Sequence, residues 1–256
     1  MAVTSDTHQK VTVVARNDYA KDLWSIRVRP EEKLAFKPGQ YTTLGVRANG
    51  KVLERAYSIV SSPLEEEVEF FLEFVQDGEL SPHLYSAREG RELLMRKQAK
   101  GVFTLDETSG HRQHFLVATV TGVAPFVSMV RTAAQRANAG RKPEHRFVMI
   151  QSASRSWEFA YSTEMQALAE RHDWFEYIPT VSRPWEDAEW RGEVGRAEDI
   201  LRKYLDRFGL GPATTTAYAC GHPQMIENAK AILARRGFPK EYIREEGYWV
   251  PKKEGK

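Results

Sequence analysis

"HFLVATVTGVAPFVSMVRTAAQRANAG", residues 114–140, decides how the chain is organised. An apolar run to Val120 is followed, after a Thr-Gly turn, by a stretch with helical periodicity. In that stretch Phe126, Val130, Ala133 and Ala137 fall on one face, and Gly140 suits the helix end. A strand leading directly into a helix is the unit of a parallel sheet covered by helices. The pattern continues toward the C-terminus. "HRFVMIQS" (145–152), "FEYIPTV" (175–181) and "TTTAYACG" (214–221) read as strands. "YSTEMQALAERH" (161–172), "GRAEDILRKYLDRFG" (195–209) and "PQMIENAKAILARRG" (223–237) read as the helices between and after them.

Before residue 105 the period is two rather than 3.6. In "LWSIRVRP" (23–30), Trp24, Ile26 and Val28 point one way while Ser25, Arg27 and Arg29 point the other. "QYTTLGVRA" (40–48), "KVLERAYSIV" (51–60), "VEFFLEFVQ" (68–76) and "ELLMRKQ" (92–98) behave alike. Pro38-Gly39, Asn49-Gly50 and Asp77-Gly78 supply the turns, and Asn49-Gly50 is a strong hairpin signal. Short strands at regular spacing imply a sandwich or small barrel. Only "SPHLYSA" (81–87) reads as a helix here. The join falls in the polar stretch "LDETSGHRQ" (105–113), so we divide the chain into residues 1–107 and 108–256.

Composition narrows the function. The chain has 256 residues, 41% hydrophobic and 28% charged, as a globular protein does. Thirty-seven basic against 35 acidic residues leave a net charge of +2, too little for a nucleic-acid footprint. The single Cys220 excludes an internal disulfide framework and an iron–sulfur centre, and suits a reducing compartment. The seven histidines show no metal-binding spacing. "MAVTSDTHQK" lacks a signal-peptide core, and no run reaches the roughly 20 apolar residues of a membrane span. The expected location is the cytoplasm.

Ligands of parallel α/β sheets bind beyond the carboxyl ends of the strands. Three such ends carry suggestive residues. "VTGVAPF" (120–126) is either an anion-binding turn at a helix start or a plain strand-to-helix turn. "TVSRP" (180–184) offers the Ser182 hydroxyl and the Arg183 fork, suited to a phosphate monoester or simply solvated. Arg155 and Arg196 could join them, and such a cluster would select a 2′-phosphorylated dinucleotide. "YACGHPQM" (218–225) places Cys220 as a small core residue or as a thiol beside a reactive centre. In the first half, "RAYSIVSSP" (55–63) is either an amphipathic strand or a wall for a flat, phosphate-bearing ligand. Alternation puts Arg55 and Tyr57 on one face and Ser58 on the other.

Taken in order, Arg55-x-Tyr57-Ser58, "DGELSPHL", "AKGVFTLDE", "TGVAPF", "VSR", "CGHPQM" and "EEGYW" resemble the bacterial ferredoxin (flavodoxin)–NADP⁺ reductases over nearly the whole chain. The resemblance implies a two-domain protein. A six-stranded antiparallel β-barrel holding FAD precedes a parallel-sheet α/β domain holding NADP(H). It implies that Arg55 binds the FAD pyrophosphate, Tyr57 stacks on the isoalloxazine and Ser58, followed by Ile59, lies near flavin N5. Gly78, Leu80 and Ser81 would wrap the FAD phosphates. Thr121 and Gly122 would meet NADP(H), and Ser182, Arg183 and Arg196 would clamp its 2′-phosphate. Ser58, Cys220 and Glu246 would attend the nicotinamide–flavin contact, and Trp249 would cover the second flavin face.

Two positions depart from the family pattern. Glycine is usual where Val120 stands, and an arginine expected near Ser154 comes one place later, as Arg155. The implied activity is electron exchange between NADP(H) and a one-electron carrier, ferredoxin or flavodoxin, by a monomer. Arg88, Arg91, Arg96, Lys97 and Lys100 are candidates for steering that carrier. The alternatives are a reductase module for a dedicated oxygenase or other partner, and a flavin-bearing regulatory subunit without turnover.

Overall fold

The computed structural model describes residues 7–247, so Trp249 and the tail after it lie outside the described residues. Six antiparallel strands form the first half: β1 (His8–Ala20), β2 (Leu23–Pro30), β3 (Tyr41–Ala48), β4 (Lys51–Ser58), β5 (Val68–Glu73) and β6 (Glu92–Arg96). A one-and-a-half-turn helix, α1 (Ser81–Tyr85), intervenes before β6. The strand order is β4-β3-β6-β1-β2-β5. An Ile59–Phe70 bridge and a 2.9 Å bond from Val60 N–H to Glu69 C=O join the two outer strands. The sheet is thereby closed as a barrel, which removes its exposed edges. Val11, Trp24, Ile26, Leu44, Phe70 and Leu72 fill it. Asn49 and Gly50 both take positive φ, 50° and 74°, as the hairpin signal requires.

The second half is a parallel sheet of β7 (Gln113–Thr119), β8 (Arg146–Ala153), β9 (Phe175–Val181), β10 (Glu193–Val194), β11 (Thr215–Gly221) and β12 (Ile243–Gly247). Its order is β10-β9-β8-β7-β11-β12. Helices α2 (Ala124–Asn138) and α3 (Ser162–Arg171) cover one face through Phe126, Val130 and Met165. Helices α4 (Ala197–Arg207) and α5 (Pro223–Arg235) cover the other through Leu201, Leu205 and Ile226.

Helix α2 is buried on two sides. Every residue from Ala124 to Thr132 is buried, including Ser128, Arg131 and Thr132. One side packs on the sheet. The other meets the barrel, where Ser128 Oγ donates to Ser61 C=O at 2.7 Å and Thr132 Oγ1 to Ser62 Oγ at 3.0 Å. Leu23, Val60 and Phe71 of the barrel share one apolar cluster with α2. The two halves are therefore held by core-like packing.

Candidate active site at the domain seam

Between β7 and β11 the chain connections diverge, one toward β8 and the other toward β12. A crevice opens at such a switch point. Two loops meet there with no room to spare. A Cβ added to Gly122 would lie 2.2 Å from Cys220 C=O, and one added to Gly221 would lie 2.2 Å from Thr119 Oγ1. The Thr119 hydroxyl accepts from His222 N–H at 2.8 Å. Between these fixed points Val120 takes φ +42°, a left-handed conformation unusual for a β-branched residue. Thr121 and Gly122 continue the same turn into α2.

A cavity of about 750 Å³ lies between the end of β4 and the end of β12. Tyr41, Arg55, Ser58, Phe103 and Glu246 are among its walls. The register of β11 with β12 sets Cys220 opposite Glu246. Ser58 Oγ donates to Glu246 Oε1 at 3.5 Å. Burial pushes the Glu246 carboxyl up to about 7, with the Ser58 contact opposing it. Ser58, Cys220 and Glu246, far apart in sequence, thus converge at this seam, although the Cys220 thiol belongs to the fully buried cluster behind it.

The remaining candidates divide between walls and supports. Arg55 is exposed, and among the described residues its guanidinium donates to Glu54 C=O at 2.8 Å and is in no ion pair. Tyr57 packs against the barrel core rather than standing free, and burial raises its hydroxyl to about 12. The Ile59 and Leu80 side chains are barrel core, leaving only their backbones for a ligand. Ser81 Oγ donates to Val75 C=O at 2.7 Å and accepts from Val75 N–H at 3.0 Å, closing the loop that contains Gly78.

Ser182, Arg183 and Arg196 come together on neighbouring strand ends. Gly195 N–H donates to Val181 C=O at 2.9 Å, which sets Arg196 beside the Ser182-Arg183 corner. Arg155 is differently placed from a free member of that cluster. Glu158, at 3.0 Å, and Glu186 both hold its guanidinium. Of the candidate steering cations, Arg96 is paired with Glu54 and Lys97 with Glu32. The sequence reading omitted Thr119, Gly221 and Tyr41. The Gly after Cys220 was the visible signal for that close approach.

The residues fit the implied cofactors by their chemistry. A largely apolar cavity with the Arg55 guanidinium and the hydroxyl-bearing Tyr41 and Ser58 among its walls suits a flat ring joined to a pyrophosphate. The crevice stripped of side chains at Gly122 and Gly221 suits close backbone approach by a dinucleotide.

Residues 10–104 match the oxidoreductase FAD-binding domain, and residues 116–231 match the oxidoreductase NAD-binding domain. The class is thus a two-domain flavin oxidoreductase that binds FAD and a nicotinamide dinucleotide. The flavodoxin/ferredoxin–NADP reductase of Escherichia coli (strain K12) is 30% identical over 231 residues, covering 86% of this chain and 87% of that protein. The ferredoxin–NADP reductase of Pseudomonas aeruginosa is 29% identical over 257 residues, covering 92% and 96%. A ferredoxin NADP⁺ reductase from Neisseria gonorrhoeae, solved with bound FAD and NADP, superposes with a TM-score of 0.84 at 22% identity, covering 96% of this chain and all of that one. This chain belongs to the ferredoxin (flavodoxin)–NADP reductase family.

Proposed function

We propose that this chain exchanges electrons between NADP(H) and a small one-electron carrier, ferredoxin or flavodoxin, as a cytoplasmic monomer. Residues 1–107 form the FAD-binding unit in this reading and residues 108–256 the NADP(H)-binding unit. The observation that carries it is the meeting of Ser58 and Glu246 in a cavity beside the Gly122–Cys220 interlock. Bound FAD supplies the conversion between a hydride and single electrons.

The protein's residues bind, orient and manage protons. Arg55 neutralises the FAD pyrophosphate, with Gly78, Leu80 and Ser81 offering backbone groups. Tyr57 forms a rigid wall, anchored by its packing on the barrel core. Ser58 and Ile59 fix the strand end that faces the coenzyme. Thr121 and Gly122 admit the nicotinamide half. Cys220 closes the crevice floor. Glu246, with a carboxyl held near neutrality, takes or releases a proton at Oε1 at working pH. Ser182, Arg183 and Arg196 clamp the 2′-phosphate.

Arg183→Ala tests the assignment. Losing a charge-assisted bond removes about 1.5–3 kcal/mol, on the order of ten- to a hundredfold in affinity. In a ferricyanide assay NADPH turnover at low coenzyme should fall by that factor and NADH turnover should not. Equal losses for both coenzymes would defeat the reading.

A further inference from the structure

The corner that carries Arg183 holds its own anion. "SRPWE" (182–186) turns tightly: Pro184 opens a short 3₁₀ turn, and Glu186 N–H donates to Arg183 C=O at 3.0 Å. That turn brings the Glu186 carboxylate back over the strand ends. Its Oε2 accepts from Arg155 Nε at 2.7 Å and also from a terminal nitrogen of the same fork. Its Oε1 stands 3.7 Å from Arg183 Nη1. Arg155 is also tied to Glu158 Oε1 at 3.0 Å, and Asp187 accepts from Ser156 N–H at 2.7 Å. Glu186 thus lies between the Arg155 and Arg183 guanidiniums, and Asp187 is taken by the Ser156 N–H.

We propose that Glu186 is a specificity-determining residue, an internal stand-in for a phosphate that competes with the 2′-phosphate of the coenzyme for Arg183. This rests on the assignment of Ser182, Arg183 and Arg196 as the 2′-phosphate clamp. Two anions cannot share the Arg183 fork without repulsion. An incoming phosphate must either displace the carboxylate toward Arg155 or bind beside it. Arg155 is the device that makes displacement feasible, because it holds Glu186 through the other carboxylate oxygen. Glu186 therefore lowers the discrimination that Arg183 and Arg196 would otherwise give, and it makes 2′-phosphate binding less dependent on salt.

Holoenzyme binding of 2′-AMP and 5′-AMP, measured by calorimetry, tests this without turnover. Glu186→Gln should bind 2′-AMP about tenfold more tightly, the effect of removing one like charge at a partly exposed site. Its 5′-AMP affinity should change less than twofold. Its 2′-AMP affinity should also fall more steeply with added salt. Glu158→Gln, which relieves Arg155 but not Arg183, should leave the 2′-AMP to 5′-AMP ratio at the wild-type value. Three results overturn the proposal: no gain in Glu186→Gln, an equal gain for both nucleotides, or the same gain in Glu158→Gln. If Arg183→Ala leaves 2′-AMP binding untouched, the clamp itself is misassigned. If Arg183→Ala weakens 2′-AMP while Glu186→Gln does nothing, the clamp stands and only the competition is wrong.

Discussion

Glu69 and Glu246 both lie along the seam between barrel and sheet, and their surroundings could hardly differ more. Glu69, on β5, is only 2% exposed. Its Oε2 accepts from Arg131 at 2.7 Å and Arg27 at 3.0 Å, and its Oε1 from the Tyr161 hydroxyl at 2.9 Å. Arg131 in turn grips Glu164 with two bonds of 2.7 Å and lies over the Tyr161 ring. Among the described residues, Glu246 has a single side-chain hydrogen bond, to a hydroxyl at 3.5 Å, at the long limit for such a bond. One carboxylate is saturated with donors and joins the halves. The other is half-buried, has only that side-chain hydrogen bond among the described residues, and is left able to change its protonation. In the proposed function the seam must be rigid enough to align two cofactors yet reactive where they meet, and the two carboxylates answer those two needs.

Breaking the saturated side should have the largest effect. Arg131→Met takes from the buried Glu69 its nearer cation and leaves only Arg27, the more exposed one, and removing one partner of a buried pair typically removes about 3–5 kcal/mol. Urea unfolding followed by tryptophan fluorescence should show that loss. A change below about 1 kcal/mol would mean that the apolar cluster around α2 alone joins the halves, and that the network is ornamental.

The uncompensated side should answer in chemistry and in pH dependence. Glu246→Gln cannot exchange a proton, so kcat should fall on the order of 10²-fold and the limb of the pH–rate profile near neutrality should vanish. Stability carries an independent signature. The folded carboxyl sits near 7, above its ordinary 4.5, so the native state binds the proton more tightly than the unfolded chain. Its contribution is present in full below about pH 4.5 and is lost as pH rises through about 7. Relative to Glu246→Gln, the wild type should lose stability across that window, by at most roughly 1.4 kcal/mol per pH unit. Parallel stability curves for the two proteins would show that Glu246 titrates as an ordinary surface carboxylate.

Much of the architecture was legible because local pattern and fold agree. Alternation marked β2 to β6, Asn49-Gly50 marked a hairpin, and the strand–helix alternation from residue 114 marked the parallel sheet. β1 escaped notice because its register shifts between Val13 and Ala15 and between Asp18 and Ala20 break the period. β10 has only two residues and no pattern to read. Helix α2 was legible as a helix with one apolar face. Its second buried face was not, because Ser128, Arg131 and Thr132 look like solvated positions until the barrel supplies their partners. The strand-end motifs were legible as a close approach of two loops, since glycine at 122 and 221 is what the backbone geometry there requires. Which arginines are free there depends on pairing across loops. Arg155 and Glu186 stand 31 residues apart, and nothing local announces that they meet.

Val120 completes the comparison with a cost held in the backbone instead of in charge. Its φ of +42° is enforced from both sides, by the Thr119–His222 bond and by the contact of Gly122 with Cys220. A residue so placed carries about 1–3 kcal/mol of strain. Glycine would release that strain and give back roughly 0.5–1 kcal/mol through a looser unfolded chain. Val120→Gly should therefore raise the unfolding free energy by about 1 kcal/mol. Val120→Ala, which keeps a Cβ in the left-handed region and loses side-chain packing, should not. Should thermal unfolding place Val120→Gly below the wild type, the isopropyl group's packing against the α2 cluster outweighs the strain, and the turn at the crevice owes its shape to the side chain.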